Sequence, residues 1–329
     1  MEIARLRFVI TPEQELWLPP YKGAVLRGGF GQALQQLCHP RRGEGCRQRE
    51  KCLYCYVFDT QAARRGSLRS IPRPYVIEPP LETSDPSLDG PMHYRQGEEL
   101  TFHLLLFGRV IDYWPTLFLA FKRLGALGLG QGRGRFRIRR VESVRDHEVK
   151  EVYAEDTGAL AAGLLRLTPA AFFRPVEQPV SLLGLQLLTP TQLTQENRTV
   201  NTKTDLAFHI VVRRLLGRLS DLAYHHGDGP WAWDYEGLIR QATRVQVAET
   251  ASRVAYRTME VHSARQDPRH AQEDTYQITG FVGTLVYEGE GLEVFLPYLR
   301  MGEYAHIGKK TVQGAGWYRL LSSAPDWQY

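Results

Sequence analysis

The feature that most constrains this chain is a segment that occurs twice. Near the end, residues 305–318 place two lysines between Gly308 and a Gly-x-Gly at Gly314 and Gly316, and an aromatic, apolar strand follows. Earlier, residues 123–140 run from an apolar helix through Gly128, Gly130, Gly132 and Gly134 into Phe136 and Ile138, which alternate with Arg135, Arg137 and Arg139. Period-two alternation puts the apolar pair on one face of a strand and the arginines on the other. Glycine, having no Cβ, lets backbone turn through positive φ and approach a ligand. Consecutive free N–H groups in such a turn suit phosphate oxygens. Neither loop fits a dinucleotide-binding or P-loop motif, because each leads into a strand and not a helix.

The elements around the two loops follow one order. Strands are expected at 2–10, 72–80, 98–107 and 136–140, with helices at 22–37 and 110–124; the second half repeats this with strands at 182–188, 246–261, 276–287 and 317–321 and helices at 206–224 and 292–301. The order is β-α-β-β-α-β twice, an α+β fold of tandem ferredoxin-like (RRM-like) domains. We expect domains at 1–145 and 176–329 with a connecting segment at 146–175, and strand 182–188 to end at Thr189-Pro190. On helix 22–37, Val25, Leu26, Phe30, Ala33, Leu34 and Leu37 have helical spacing. Gly28, Gly29 and Gly31 interrupt it at ~1 kcal/mol each relative to alanine, a cost that implies close packing. On 206–224, Arg213, Arg214 and Arg218 are expected to face outward.

With 329 residues, 43% hydrophobic and 23% charged, the chain has the composition of a globular protein with core enough for two domains. No apolar run approaches the ~20 residues of a membrane span, and Met1 leads into an amphipathic strand instead of a signal-peptide core. A cytoplasmic location with no membrane partner is expected. The net charge is +5, and 34 of the 41 basic residues are arginine. Arginine's planar fork suits phosphates and bases, although a GC-rich genome gives the same bias through its codons. The clusters at 133–140 and in the loop 61–73 carry more information than the total.

All four cysteines, Cys38, Cys46, Cys52 and Cys55, fall within eighteen residues of a polar insertion, 38–55, that cannot build a core of its own. The set fits either a structural zinc site or free and reversibly paired thiols. No Ser-His-Asp order, Walker motif or paired carboxylates compete as a catalytic signature.

The run LPPYKGAVLRGGFG at 18–31, the Cys46, Cys52, Cys55-Tyr56, Phe58 pattern, ITGFVG at 278–283 and HIGKKTVQGAGWY at 306–318 resemble the RAMP superfamily. Within it they resemble the CRISPR-associated endoribonucleases that cut precursor CRISPR RNA at its repeats. That resemblance implies metal-independent cleavage, in which the RNA's 2′-hydroxyl attacks the adjacent phosphate and leaves a 2′,3′-cyclic phosphate and a 5′-hydroxyl. It also implies a histidine just after the first helix, here His39, as the proton-transfer group, with Tyr21 and Arg27 orienting substrate or stabilising charge; beside Cys38, His39 also reads as a zinc ligand or as an incidental surface residue. No cofactor is implied for catalysis; zinc, if held, is structural. Arg133, Arg135, Arg137, Arg139, His306, Gly308, Lys309, Lys310, Gly314 and Gly316 are the expected RNA contacts, with His262 a further histidine of interest. CRISPR repeat RNA is the expected partner. A second reading, a non-catalytic RAMP subunit that holds guide RNA among other CRISPR effector subunits, keeps both loops but has no productive histidine.

Overall fold

The computed structural model describes residues 1–39, 46, 48–60, 71–81, 92–176, 178–195, 198–202, 206–262 and 275–321. Most of the basic loop at 61–73 and the polar loop between the last long strands fall outside these residues.

In chain order the first half forms β1 (Ile3–Pro12), β2 (Leu16–Leu18), α1 (Lys22–Cys38), α2 (Leu53–Phe58), β3 (Tyr75–Glu78), β4 (Met92–Tyr94), β5 (Leu100–Phe107), α3 (Trp114–Leu127), β6 (Phe136–Arg145) and β7 (Glu148–Ala154). The main sheet is antiparallel with order β3-β5-β1-β6-β7, and β2 pairs with β4 beside it. Its first four strands are those of the ferredoxin-like unit. Leu6, Phe8 and Ile10 of β1 are buried on one face beneath Phe30 and Leu34 of α1 and Phe118 and Phe121 of α3. Phe8 stacks on Phe102 at 5.0 Å and Phe30 on Phe121 at 4.4 Å. The costly glycines of α1 do permit close packing. A Cβ on Gly29 would lie 2.5 Å from Leu124 of α3, and one on Gly31 would lie 2.7 Å from Phe58 of α2. Leu37, expected inward, is 39% exposed near the helix end.

The second half forms β8 (Leu182–Thr191), β9 (Thr194–Gln195), β10 (Arg198–Thr199), α4 (Phe208–His226), α5 (Tyr235–Ala242), β11 (Gln246–Val247), β12 (Arg253–His262), β13 (Thr275–Glu288), α6 (Leu296–Ala305) and β14 (Tyr318–Leu321). The order β12-β13-β8-β14 repeats that of the first unit, and β11 extends the β12 edge of β13. The expected tandem ferredoxin-like fold is therefore present. Phe208, Val211, Val212, Leu215, Leu216, Leu219 and Leu222 of α4 line its core.

Four local expectations change. Strand β8 runs through Pro190, because the ladder with β13 breaks at a bulge between Phe281 and Gly283, where a missing N–H is tolerated. The segment 146–175 is no free connector. β7 pairs with β6, and the backbone of Leu167 exchanges two hydrogen bonds with Ile3 at the sheet's start. The strand read at 246–261 is split by a turn into β11 and β12. Finally, Arg218 does not face solvent; its Nε donates to Ala305 O, the last carbonyl of α6, at 2.7 Å, where a cation complements the helix dipole.

The outer face of the first sheet is covered. Ile3, Val76, Leu105 and Phe107 join the apolar core of the second unit. His226, at the end of α4, donates from Nε2 to Pro72 O at 2.7 Å and accepts at Nδ1 from the Tyr56 hydroxyl at 3.2 Å. Among the described residues no helix is long and apolar enough to cross a membrane.

Candidate nucleic-acid interface

The start of α1, the carboxy-terminal glycine loop and the β12–β13 hairpin meet in a seam between the two units. Tyr21, Ala24, Val261, Ile278 and Ala315 form a buried apolar cluster there. The Tyr21 hydroxyl donates to Gln313 O at 2.8 Å, and that of Tyr276 donates to Gln313 Oε1 at 3.0 Å. Gly23 lets helix and loop touch, since a Cβ on it would lie 1.7 Å from Gln313 O. Burial, and then neighbouring Tyr276, push the Tyr21 phenol far above its ordinary pKa. Tyr21 is thus a clasp between units rather than a free acid. Arg27, half-buried one and a half turns further along α1, lays its guanidinium over the Phe58 ring at 5.1 Å, and its Nε has no hydrogen-bond partner.

The glycines of this loop mostly serve packing. Gly314, at φ 85°, lies against Ile77 O and Pro79 of the first unit, and Gly316, at φ 71°, against Ile307 O. Both are buried, so the expectation that they cradle phosphate is corrected: no Cβ fits, for reasons internal to the protein. Gly308 packs on Gln192 O, which also accepts from the Lys309 N–H at 3.1 Å. His306, expected to reach RNA, is fully buried. Its Nδ1 faces Ala315 O at 3.2 Å and its Nε2 faces Glu78 Oε1 at 3.3 Å. Burial holds the imidazole below its usual pKa against the pull of Glu78. Glu78 would itself be raised by burial, but His306, Arg5 and His103 together hold its carboxyl below the ordinary range. Lys309 and Lys310 remain at the surface. Lys309 is exposed, while Lys310 donates to Gln277 O and lies over the Tyr276 ring at 4.2 Å. Burial, and then Lys309, lower the Lys310 amine.

The arginine strand forms as the alternation requires. Phe136 and Ile138 are buried, and Arg135, Arg137 and Arg139 are exposed. Arg137 and Arg139 share Glu155, at 3.5 and 2.6 Å, so part of their charge is balanced internally. Arg133 occupies the loop at φ 52°, exposed. The two basic loops do not converge: the carboxy-terminal loop rests at β3, three strand spacings (~14 Å) from β6 across the sheet.

The expected catalytic set is divided. Tyr21 caps the start of α1 and His39 caps its end, ~27 Å apart at 1.5 Å per residue. His39 instead meets the cysteines, its Nε2 3.1 Å from Cys52 Sγ. His39, Cys46, Cys52 and Cys55 place one ligand atom each within 4.8 Å of one another, and Cys38 stands outside that group.

Sequence reasoning missed three participants in these surfaces. Gln313 and Tyr276 are polar residues whose partners are remote in the chain. Trp17, the middle residue of the apolar-flanked β2, is 41% exposed and stacks on His93 at 4.2 Å. Its carbonyl accepts from Gln131 N in the first glycine loop at 2.9 Å. The flanking leucines, both buried, were the available signal, because alternation on a strand turns the tryptophan out.

Two ferredoxin-like units, closed on each other through a glycine-rich loop, give a RAMP-type fold. The model of the AF_1859_N N-terminal domain matches residues 1–165, and that of CRISPR-associated endoribonuclease Cas6 matches residues 185–318. The chain belongs to the AF_1859 family by its first half, and its second half is similar to the Cas6 endoribonuclease domain. An uncharacterized protein of Archaeoglobus fulgidus is 25% identical over 314 residues, 93% of each chain. The fold is shared with a Thermus thermophilus Cas6 in a product complex, with TM-score 0.55 and 17% identity over 97% of this chain and 99% of that one. It is also shared with part of a Cas6-RT-Cas1–Cas2 complex, with TM-score 0.56 and 12% identity over 98% of this chain and 46% of the other.

Proposed function

We propose that the protein cuts precursor CRISPR RNA at its repeats, releasing guide RNA. The RNA's own 2′-hydroxyl attacks the neighbouring phosphorus, leaving a 2′,3′-cyclic phosphate and a 5′-hydroxyl, with no metal in the step. One observation carries the reading: the segment that matches the Cas6 model contains the loop that closes onto α1 and leaves Lys309 and Lys310 at the mouth of the seam. Cations there can offset the charge that builds on phosphorus. Arg27, half-buried nearby on α1, adds a guanidinium charge. Trp17 beside the arginine strand offers a base-stacking face, and Arg133, Arg135, Arg137 and Arg139 offer phosphate contacts.

Proton transfer calls for a group that titrates near neutrality. His306 is committed to Glu78, and His39 to the thiol cluster. His262, the last residue of β12, is the remaining histidine of interest and the one we place in the reaction. The same observations support a second reading: among the described side chains no histidine opens onto the seam, as a guide-holding RAMP subunit would have it. Purified protein incubated with repeat RNA in EDTA separates the two. Discrete cuts with 2′,3′-cyclic ends are expected; RNA bound but intact would favour the guide-holding subunit.

A further inference from the structure

The far end of α1 bears a second constellation, remote from the seam and independent of the RNA reading. From it we infer a structural zinc site whose ligands are Cys46, Cys52, Cys55 and His39, with the imidazole in the place that Cys38 was expected to fill. The four ligand atoms lie within 4.8 Å of one another, and the imidazole Nε2 is already 3.1 Å from Cys52 Sγ. Tetrahedral zinc with three sulfurs and one nitrogen has ligand–ligand edges of roughly 3.5–3.8 Å by its usual bond lengths, so the side chains need contract by only about 1 Å. The Cys52 and Cys55 thiols are held at one place by the first turn of α2, and His39 is fixed by its backbone N–H, which donates to Gln35 O at 2.7 Å. Cys38, the last residue of α1, interacts with Cys52 from outside the group.

The residue chemistry suits zinc. Three thiolates and a neutral imidazole around a divalent ion leave one net negative charge. Four protein ligands complete the shell and leave no open position for water or substrate, so the site is structural. Its work is mechanical. The insertion around the cluster is polar, while Val57 and Phe58 of α2 are buried, Phe58 against Phe30 at 5.3 Å. A metal bridging the end of α1 to the start of α2 fixes that short helix where its own six residues cannot. With its lone pair on the metal, the His39 imidazole is not available as a base.

The test is zinc content of the full chain purified without chelator, together with competition against a chromophoric chelator. About one zinc per chain is expected from the ligand count. Cys38→Ser should retain it and His39→Cys should retain it, whereas His39→Ala should weaken zinc binding on the order of 100-fold or more, beyond the loss typical of an outer-shell partner. Cobalt substitution should give a tetrahedral spectrum with three thiolates in the parent and four in His39→Cys. Zinc kept at parental affinity in His39→Ala but lost in Cys38→Ser would overturn the ligand set. Purified chain that takes up no zinc when zinc is supplied would overturn the site. Since the readout is metal, neither outcome depends on whether RNA is cut.

Discussion

Gly23 and Gly217 are both helical glycines, and alanine should move them in opposite directions. At Gly217 an added methyl group would meet nothing within 4 Å, so Gly217→Ala should gain roughly the ~1 kcal/mol of helix propensity. At Gly23 the same methyl meets Gln313 O at 1.7 Å, and the overpacking cost of about 1–3 kcal/mol should exceed that gain. Thermal melting of the pair checks this; two equal shifts would mean that helix and loop are not in contact. Histidines give a second test. Burial lowers His103 and His226 to about 4, in His103 against the pull of Glu78. Below pH ~6.5 the unfolded chain takes up protons that the folded one refuses until about 4, so stability is full above that range and falls with pH, by about 1–2 kcal/mol per group at pH 5. Urea midpoints at pH 7 and pH 5 measure the loss, and equal midpoints would contradict it. At this scale the sequence was informative about type but not partner. Cys38 and His39 are neighbours, and one step along the chain at a helix end decides which of them joins Cys46, Cys52 and Cys55 in one four-atom group.

At the scale of elements, the arginine strand was legible because alternation is local: Phe136 and Ile138 need only their neighbours to show which face is buried. The carboxy-terminal loop was legible as a turn but not as a joint, since the partners of Tyr21 and His306 lie 292 and 228 residues away. Pro190 misled for a related reason, its tolerance depending on a bulge in β13. Two variants separate the roles of the exposed groups. Lys309→Ala with Lys310→Ala should flatten the salt dependence of RNA affinity by about 0.7 to 1.4 in log–log slope, at ~0.7 per phosphate on a single strand. Trp17→Ala should weaken binding by ~1–3 kcal/mol if one base stacks there, and leave the slope unchanged. Filter binding across a salt series reads both, and an unchanged slope in the lysine pair would move the RNA off this loop.

At the scale of the whole molecule, the two units are joined by ties that include Tyr21 to Gln313, His226 to Tyr56 and Pro72, His306 to Glu78, and Arg109 to His225 O. The tandem order was legible from repeated patterning. The face-to-face closure was not, because Ile3, Val76, Leu105 and Phe107 read simply as strand residues. Closure buries His306 and Gly314, which sequence offered to RNA, against Glu78, Ile77 and Pro79, and leaves Lys309 and Lys310 at the mouth. The central claim is that RNA held there is cut by its own hydroxyl. The most direct measurement is cleavage, in EDTA, of a repeat RNA carrying a single 2′-deoxy residue at the mapped cut, beside the all-ribo strand. Cutting of the ribo strand and none of the deoxy strand is predicted, with His262→Ala slowing the former by ~10²–10⁴-fold. Cleavage of the deoxy strand at the same phosphate would contradict the account.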